Sequence, residues 1–342
     1  MHDLDQGSIV VTGGAGLIGS SLTWALNRRG LERILVVDRL DTSEKWRHLV
    51  PLRFVDYIDA DEFERRAIDG EDFGNVTTVF HMGACSSTTE TDSDYLLRNN
   101  YEYTKNVAAW CTAEGARFVY ASSAATYGGL EDDLSDEADL RSLRPLNMYA
   151  YSKHLFDLYA QRTGLDRSTC GIKYFNVFGP NEDHKGDMRS VVCKAFDQIR
   201  AGGSVKLFKS HRPDFRDGEQ RRDFIYVKDA VDMTIHLAES GSTGLFNAGA
   251  GKAQTWLDLV RPIFRALELP ERIDFIDMPD HLRNKYQYST CARMSRMRET
   301  GYDRAMTPLA DAVTDYVTNY LAPQRCLDPS DPPIATPLSA PT

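Results

Sequence analysis

The apolar residues of this chain fall into two alternating kinds of run. Short, continuous, β-branched stretches include SIVV at 8–11, ILVVD at 34–38, TTVFHMGA at 77–84 and ARFVYASSAATYG at 116–128. Between the first two lies TGGAGLIGSSLTWALNRRG, whose Ile18, Leu22 and Leu26 recur at helical spacing and whose Gly30 reads as a C-cap. Strands that are apolar throughout fit a sheet covered on both faces. Their alternation with helices predicts βαβ units. The expected fold class is α/β, a Rossmann-type doubly wound parallel sheet with a smaller α/β substrate-binding domain.

After about residue 175 the pattern loosens. SVVCKAFDQIRAGG predicts a helix ended by two glycines, SVKLF a strand, and SHRPDFRDGEQRRD a long charged loop. DFIYVKDAVDMTIHLAES returns to strand plus helix, GLFNAG is a strand, and 255–322 mixes two or three helices with the short strand RIDFIDM. The expected partition is a dinucleotide-binding domain over 1–176, completed by about 222–250, and a substrate-binding domain over 177–221 and 251–322. The tail from Pro323 holds six of the 14 prolines and is expected to be disordered over 323–342.

Composition narrows the classes of function. A net charge of −10 argues against a general nucleic-acid or membrane-surface binder, and an anionic ligand would need a local basic pocket. The six cysteines are scattered without CxxC or metal-ligand spacing, so they read as reduced thiols and no metal site is expected. The acidic start MHDLDQGS is unlike a signal peptide, and no apolar run reaches the ~20 residues of a membrane span. The expectation is a soluble cytoplasmic protein.

Two motifs carry chemistry. In 12-TGGAGLIG-19, Gly13 allows a tight turn, Gly16 admits a pyrophosphate to the backbone, and Gly19 lets helix pack on strand. The helix start would face the phosphates with free N–H groups. Asp38 ends the second strand, where a carboxylate holds adenosine ribose hydroxyls and favours NAD; Arg39 and Lys45 could take a 2′-phosphate and favour NADP. The local residues leave that choice open. Tyr149 and Lys153 stand i, i+4 and share a helix face. A neighbouring cation favours the phenolate, so Tyr149 is expected to have a lowered pKa and to take a hydroxyl proton while hydride leaves to the cofactor. Of Ser122 and Ser123, Ser123 is the expected hydrogen-bond partner of the reacting oxygen.

TGGAGLIG, SSAATYGG, YAYSK, YFNVFGP and RRDFIYVKD together resemble the extended short-chain dehydrogenase/reductase family of nucleotide-sugar epimerases and dehydratases, over residues 8 to about 322. GACSSTTE, NVFGPNEDHKGDM and KYQYST are similar to the branch of that family acting on ADP-heptose. The resemblance implies a bound NADP, an ADP-heptose substrate, a product for the lipopolysaccharide core, and a homo-oligomer, often a pentamer. It implies Tyr149 and Lys185 as the two acid–base groups, with Lys153 binding the cofactor and Lys185 also touching it. It places Leu17, Ile18, Asp38, Arg39, Lys45, Met82, Gly83, Ala84, Cys85, Ser86, Asn99 and Val177 around the cofactor. Around the sugar nucleotide it places Asn176, Asp187, Lys194, Phe208, Lys209, Ser210, His211, Arg222 and Tyr286.

Chemistry explains why a second donor would be needed. A C–H beside an alcohol is too weakly acidic to deprotonate, so inversion calls for oxidation to a carbonyl and hydride return. A heptose carries C6 outside the ring, and rotation about C5–C6 offers the other carbonyl face. The oxygen then points away from Tyr149, and Lys185, in the exposed-looking loop HKG, is placed to serve it. If Lys185 instead only pairs with the diphosphate, the runner-up is a UDP-hexose 4-epimerase. Ala124 and Ala125 replace the acid pair that a 4,6-dehydratase needs, and Ala60 replaces a cofactor-contacting lysine of some relatives. Arg222 is expected to clamp the diphosphate, with Arg212, Arg216 and Arg221 solvated. A redox sensor without catalysis would be expected to lose the tyrosine or lysine.

Overall fold

A computed structural model describes residues 1–131, 133–283 and 286–331. The first half runs β1 (Ser8–Thr12), α1 (Leu17–Arg28), β2 (Ile34–Asp38), β3 (Asp56–Asp59), α2 (Ala60–Ile68), β4 (Val76–His81), α3 (Ser93–Leu96), α4 (Tyr103–Glu114), β5 (Arg117–Ser123) and α5 (Met148–Thr163). It continues through β6 (Cys170–Tyr174), β7 (Asn176–Phe178), α6 (Val191–Gly202), β8 (Val205–Phe208), β9 (Arg221–Tyr226), α7 (Val227–Glu239) and β10 (Gly244–Ala248). The chain closes with β11 (Ala253–Thr255), α8 (Trp256–Ala266), β12 (Ile273–Ile276), α9 (Asp280–Arg283), α10 (Ser295–Glu299) and α11 (Leu309–Tyr316).

Seven strands form one parallel sheet in the order β10-β6-β5-β4-β1-β2-β3. The apolar runs have the predicted consequence: β6 is buried at every position and β1 at all but its first. From β1 the chain winds outward to β2 and β3, then returns to β4 and winds the other way. That reversal leaves a crevice beyond the carboxyl ends of β1 and β4, where doubly wound sheets bind ligands. A three-stranded sheet, β11-β9-β7, and a two-stranded one, β12-β8, lie outside the main sheet. The sequence pattern did not mark β3, β6 or β7. β3 is exposed or half-buried at all four positions and so has no apolar run to show.

The C-terminal tail departs from expectation over its first nine residues. Leu327 is fully buried, its N–H donates to Asn181 Oδ1 at 3.1 Å, and Trp24 Nε1 donates to the Asp328 carbonyl at 2.9 Å. Asp331 accepts from Arg325 and Tyr320. Prolines exclude helix and strand but not a packed irregular segment whose polar groups find partners. Residues 332–342 lie outside the described residues, as does Lys285 of the KYQYST segment. No described helix is long and apolar enough to cross a membrane.

Candidate active site

The glycine-rich turn sits at the crevice. Gly13 has φ +65°, and a Cβ there would come within 2.6 Å of Gly83 Cα in the turn after β4; one at Gly19 would collide with the Gly13 carbonyl. Those two glycines are therefore demanded by packing. Helix α1 starts without a side-chain cap and without an acidic residue in its first turn, so its N–H groups and dipole remain available to an anion. These features fit a dinucleotide diphosphate.

Asp38, buried at the end of β2, also organises the turn. Its Oδ2 accepts from Ala15 N at 2.8 Å, and its Oδ1 from Arg39 N at 2.7 Å and Lys45 Nζ at 2.8 Å. A carboxylate has about four acceptor positions, so one remains for a ribose hydroxyl. Arg39 is braced by Asp61 and by Asn99 Oδ1, and lies over the Tyr103 ring.

A cavity of about 500 Å³ runs from this turn to the end of β5 and on to the loop after β7. Its walls include Gly13, Gly16, Leu17, Ile18, Gly19, Asp38, Arg39 and Lys45 at one end, then Met82 to Ser86, Asn99 and Val177. At the other end Ser123, Tyr149, Lys153, Asn176, Lys185 and Arg222 come together. Ala60, Ala124 and Ala125 also line it. Asp187, Lys194, Phe208 to His211 and Tyr286 do not line this cavity. Asp187 is exposed, and Lys194 is half-buried on α6. Lys209 pairs with Asp277, and Ser210 and His211 are tied within their own loop and to Tyr288. Phe208 and Tyr286 pack edge to face and connect to the cavity through Arg222, whose guanidinium lies 5.0 Å from the Tyr286 ring and 5.7 Å from Trp256.

Three electrostatic expectations change. Burial pushes the Tyr149 phenol up, and a hydrogen bond with Ser123 only partly opposes this. The Lys153 ammonium is engaged by the backbone: its Nζ donates to the Ala121 carbonyl at 2.9 Å. Burial brings Lys153 down to about 8, against the pull of Asp157. The protein's own groups thus hold Tyr149 as a phenol rather than lowering it. The HKG loop is recessed, with His184 and Lys185 half-buried and Lys185 lowered by burial against Glu182. Arg212 is not a free charge, since it pairs with Glu131 and Asp214 and covers Phe215 and Tyr288.

Sequence reasoning missed other lining residues. Thr88 and Gln287 sit in segments already singled out, GACSSTTE and KYQYST, and that was their available signal. His48 had none. It is fully buried and touches both the glycine turn and Asp183. Among the described residues, His48, Asp183 and His184 are the histidine–carboxylate group whose donor atoms all lie within 4.8 Å of one another, though His48 and Asp183 use theirs on each other.

The profile of the NAD dependent epimerase/dehydratase family matches residues 9–249. The chain is 52% identical over 318 residues to an ADP-L-glycero-D-manno-heptose-6-epimerase of Nitratidesulfovibrio vulgaris, covering 92% of this chain and 98% of that one. It is 45% identical over 326 residues to the protein of that name from Fusobacterium nucleatum, with 92% and 98% covered. The fold matches the crystal structure of the Helicobacter pylori ADP-L-glycero-D-manno-heptose-6-epimerase with a TM-score of 0.79 at 24% identity, covering 93% of this chain and 98% of that one. With a glycine cradle for a dinucleotide, and Ser123, Tyr149 and Lys153 beside it, the chain belongs to the NAD dependent epimerase/dehydratase family of enzymes.

Proposed function

We propose that this epimerase inverts C6″ of ADP-D-glycero-D-manno-heptose to give ADP-L-glycero-D-manno-heptose, and the reverse, with a retained NADP. The observation that carries the reading is that Tyr149 and Lys185, from α5 and from the loop after β7, line one cavity that also holds Arg222. A nicotinamide bound against Ser123 and Lys153 would supply a reversible hydride acceptor. Arg39 and Lys45 at the adenosine end support the phosphorylated cofactor, and Asp38 would hold the ribose.

Tyr149 takes the C6″ hydroxyl proton as the C–H bond is oxidised, and Ser123 holds the same oxygen. The cavity's own groups leave Tyr149 a phenol, so the cation of an oxidised nicotinamide is the remaining influence that favours the phenolate. After rotation about C5–C6 the carbonyl oxygen faces Lys185, which gives it a proton as the hydride returns to the opposite face. Arg222 pairs with the diphosphate; its charge is delocalised, planar and already seated on aromatic rings.

The experiment is turnover of purified protein on ADP-D-glycero-D-manno-heptose without added cofactor, with epimers separated by anion exchange and UDP-glucose run in parallel. Interconversion of the heptose epimers alone is expected. Tyr149→Phe and Lys185→Met should each slow it by roughly 10²-fold or more while the fold is retained. Conversion of UDP-glucose instead, or near-normal turnover by Lys185→Met, would refute the two-donor reading.

A further inference from the structure

The loop that carries Lys185 is pinned at both ends. Upstream, Asn181 at φ +72° donates to Ser20 Oγ on α1 at 3.0 Å, and buried Glu182 accepts from Ser190 N and Oγ. Downstream, Arg189 donates to the Gly186 carbonyl and pairs with Asp197. Between these anchors Gly186 breaks the turn at φ +51°, ψ −123°, a conformation suited to glycine. Lys185 therefore sits on a short arch over the cavity. One further contact reaches that arch, two residues before the lysine.

That contact is made by His48, at the end of the 3-10 turn Glu44–His48 that also carries Lys45. Its ring is fully buried. Nδ1 lies 2.7 Å from the Ala15 carbonyl in the glycine turn, and Nε2 lies 2.7 Å from Asp183 Oδ1. A carbonyl and a carboxylate are both acceptors, so each ring nitrogen faces an acceptor. Burial would raise the Asp183 carboxyl, yet the hydrogen bond and charge of His48 bring it below its ordinary value. The other groups here are His184, edge-on to His48 at 5.1 Å and brought to about 3 by burial, with Lys45 and Lys185.

We propose that His48 is a positioning residue: its ring bridges the Ala15 carbonyl of the cofactor turn and the Asp183 carboxylate, and so sets the place of Lys185 relative to the bound cofactor. The inference rests on the proposed role of Lys185. The bond at the Asp183 end is short and has a carboxylate acceptor, so it is stronger than a neutral hydrogen bond. Through Lys45 and Asp38 the same turn also touches the adenosine end of the site.

The test uses Asp183→Ala, whose side chain is 59% exposed and whose loss should leave the fold intact. Epimerase kcat should fall about tenfold or more, since misplacements near 1 Å can cost as much as ~10²-fold. KM for the ADP-heptose and the amount of cofactor retained should stay at wild-type values. Asp183→Asn keeps an acceptor for Nε2 and should return kcat to within about twofold of wild type. In a Lys185→Met background Asp183→Ala should cause no further loss, because it acts through that lysine. Wild-type kcat in Asp183→Ala, or losses that multiply in the double variant, would overturn the inference. A divalent cation that co-purifies with the wild type and is lost with Asp183→Ala would overturn it as well. Near-normal turnover by Lys185→Met would instead remove the reading on which it rests.

Discussion

Lys153 shows what this site costs the fold. Burial holds its ammonium down at about 8, against an ordinary 10.5. A tenfold change in proton affinity corresponds to about 1.4 kcal/mol, so keeping Lys153 charged below pH 8 disfavours the folded state by about 3 kcal/mol. Lys153→Met removes that charge and loses the hydrogen bond to the Ala121 carbonyl, worth about 1 kcal/mol. The cofactor-free variant should then be about 2 kcal/mol more stable than wild type at pH 7 while losing turnover. The direction with pH is fixed as well. Between about 8 and 10.5 the unfolded lysine binds more protons than the folded one, so wild-type stability recovers as pH rises through that window. Urea midpoints at pH 7 and pH 10 should show the variant ahead at the lower pH and level or behind at the higher. A variant less stable at pH 7, or a difference that does not change with pH, would contradict this account of Lys153.

Two further outcomes test the packing. Lys173 and Asp157 form a fully buried pair at 2.8 Å behind β5, where Asp157 also accepts from Ser122 Oγ at 2.7 Å. Lys173→Met should cost about 3 kcal/mol by leaving that carboxylate unpaired, and adding Asp157→Leu should recover most of the loss in thermal denaturation. Leu327→Ala should cost about 3 kcal/mol by the same measurement, and an unchanged midpoint would mean that the segment before Asp331 is not packed in solution.

The helix-and-strand alternation, the glycine turn and the shared face of Tyr149 and Lys153 were legible in the sequence because each is settled within a short window of chain. Glycine turn chemistry and a repeat of 3.6 residues need no distant partner. What those groups do to one another was not legible. The sequence places Lys153 beside Tyr149, but the ammonium turns to the Ala121 carbonyl and the phenol is raised by what covers it. Arg212 looks solvated along the chain and is paired in space. The proline-rich tail looks unstructured, yet Leu327 finds the surface beside Asn181.

Residue order along the chain was enough for the fold class and the place of the glycine-rich turn. Which side chains share a cavity was settled by folding. The winding reversal at β1 and β4 opens that cavity, and the path of the loop after β7 brings Lys185 into it from beyond α5. His48 marks the limit of sequence reading. An isolated histidine in a charged turn shows no pattern, and its role exists only because folding buries its ring between a carbonyl and a carboxylate from distant parts of the chain. Local periodicity is written in neighbouring residues, whereas burial and hydrogen-bond partners depend on segments that meet only when the sheet is built.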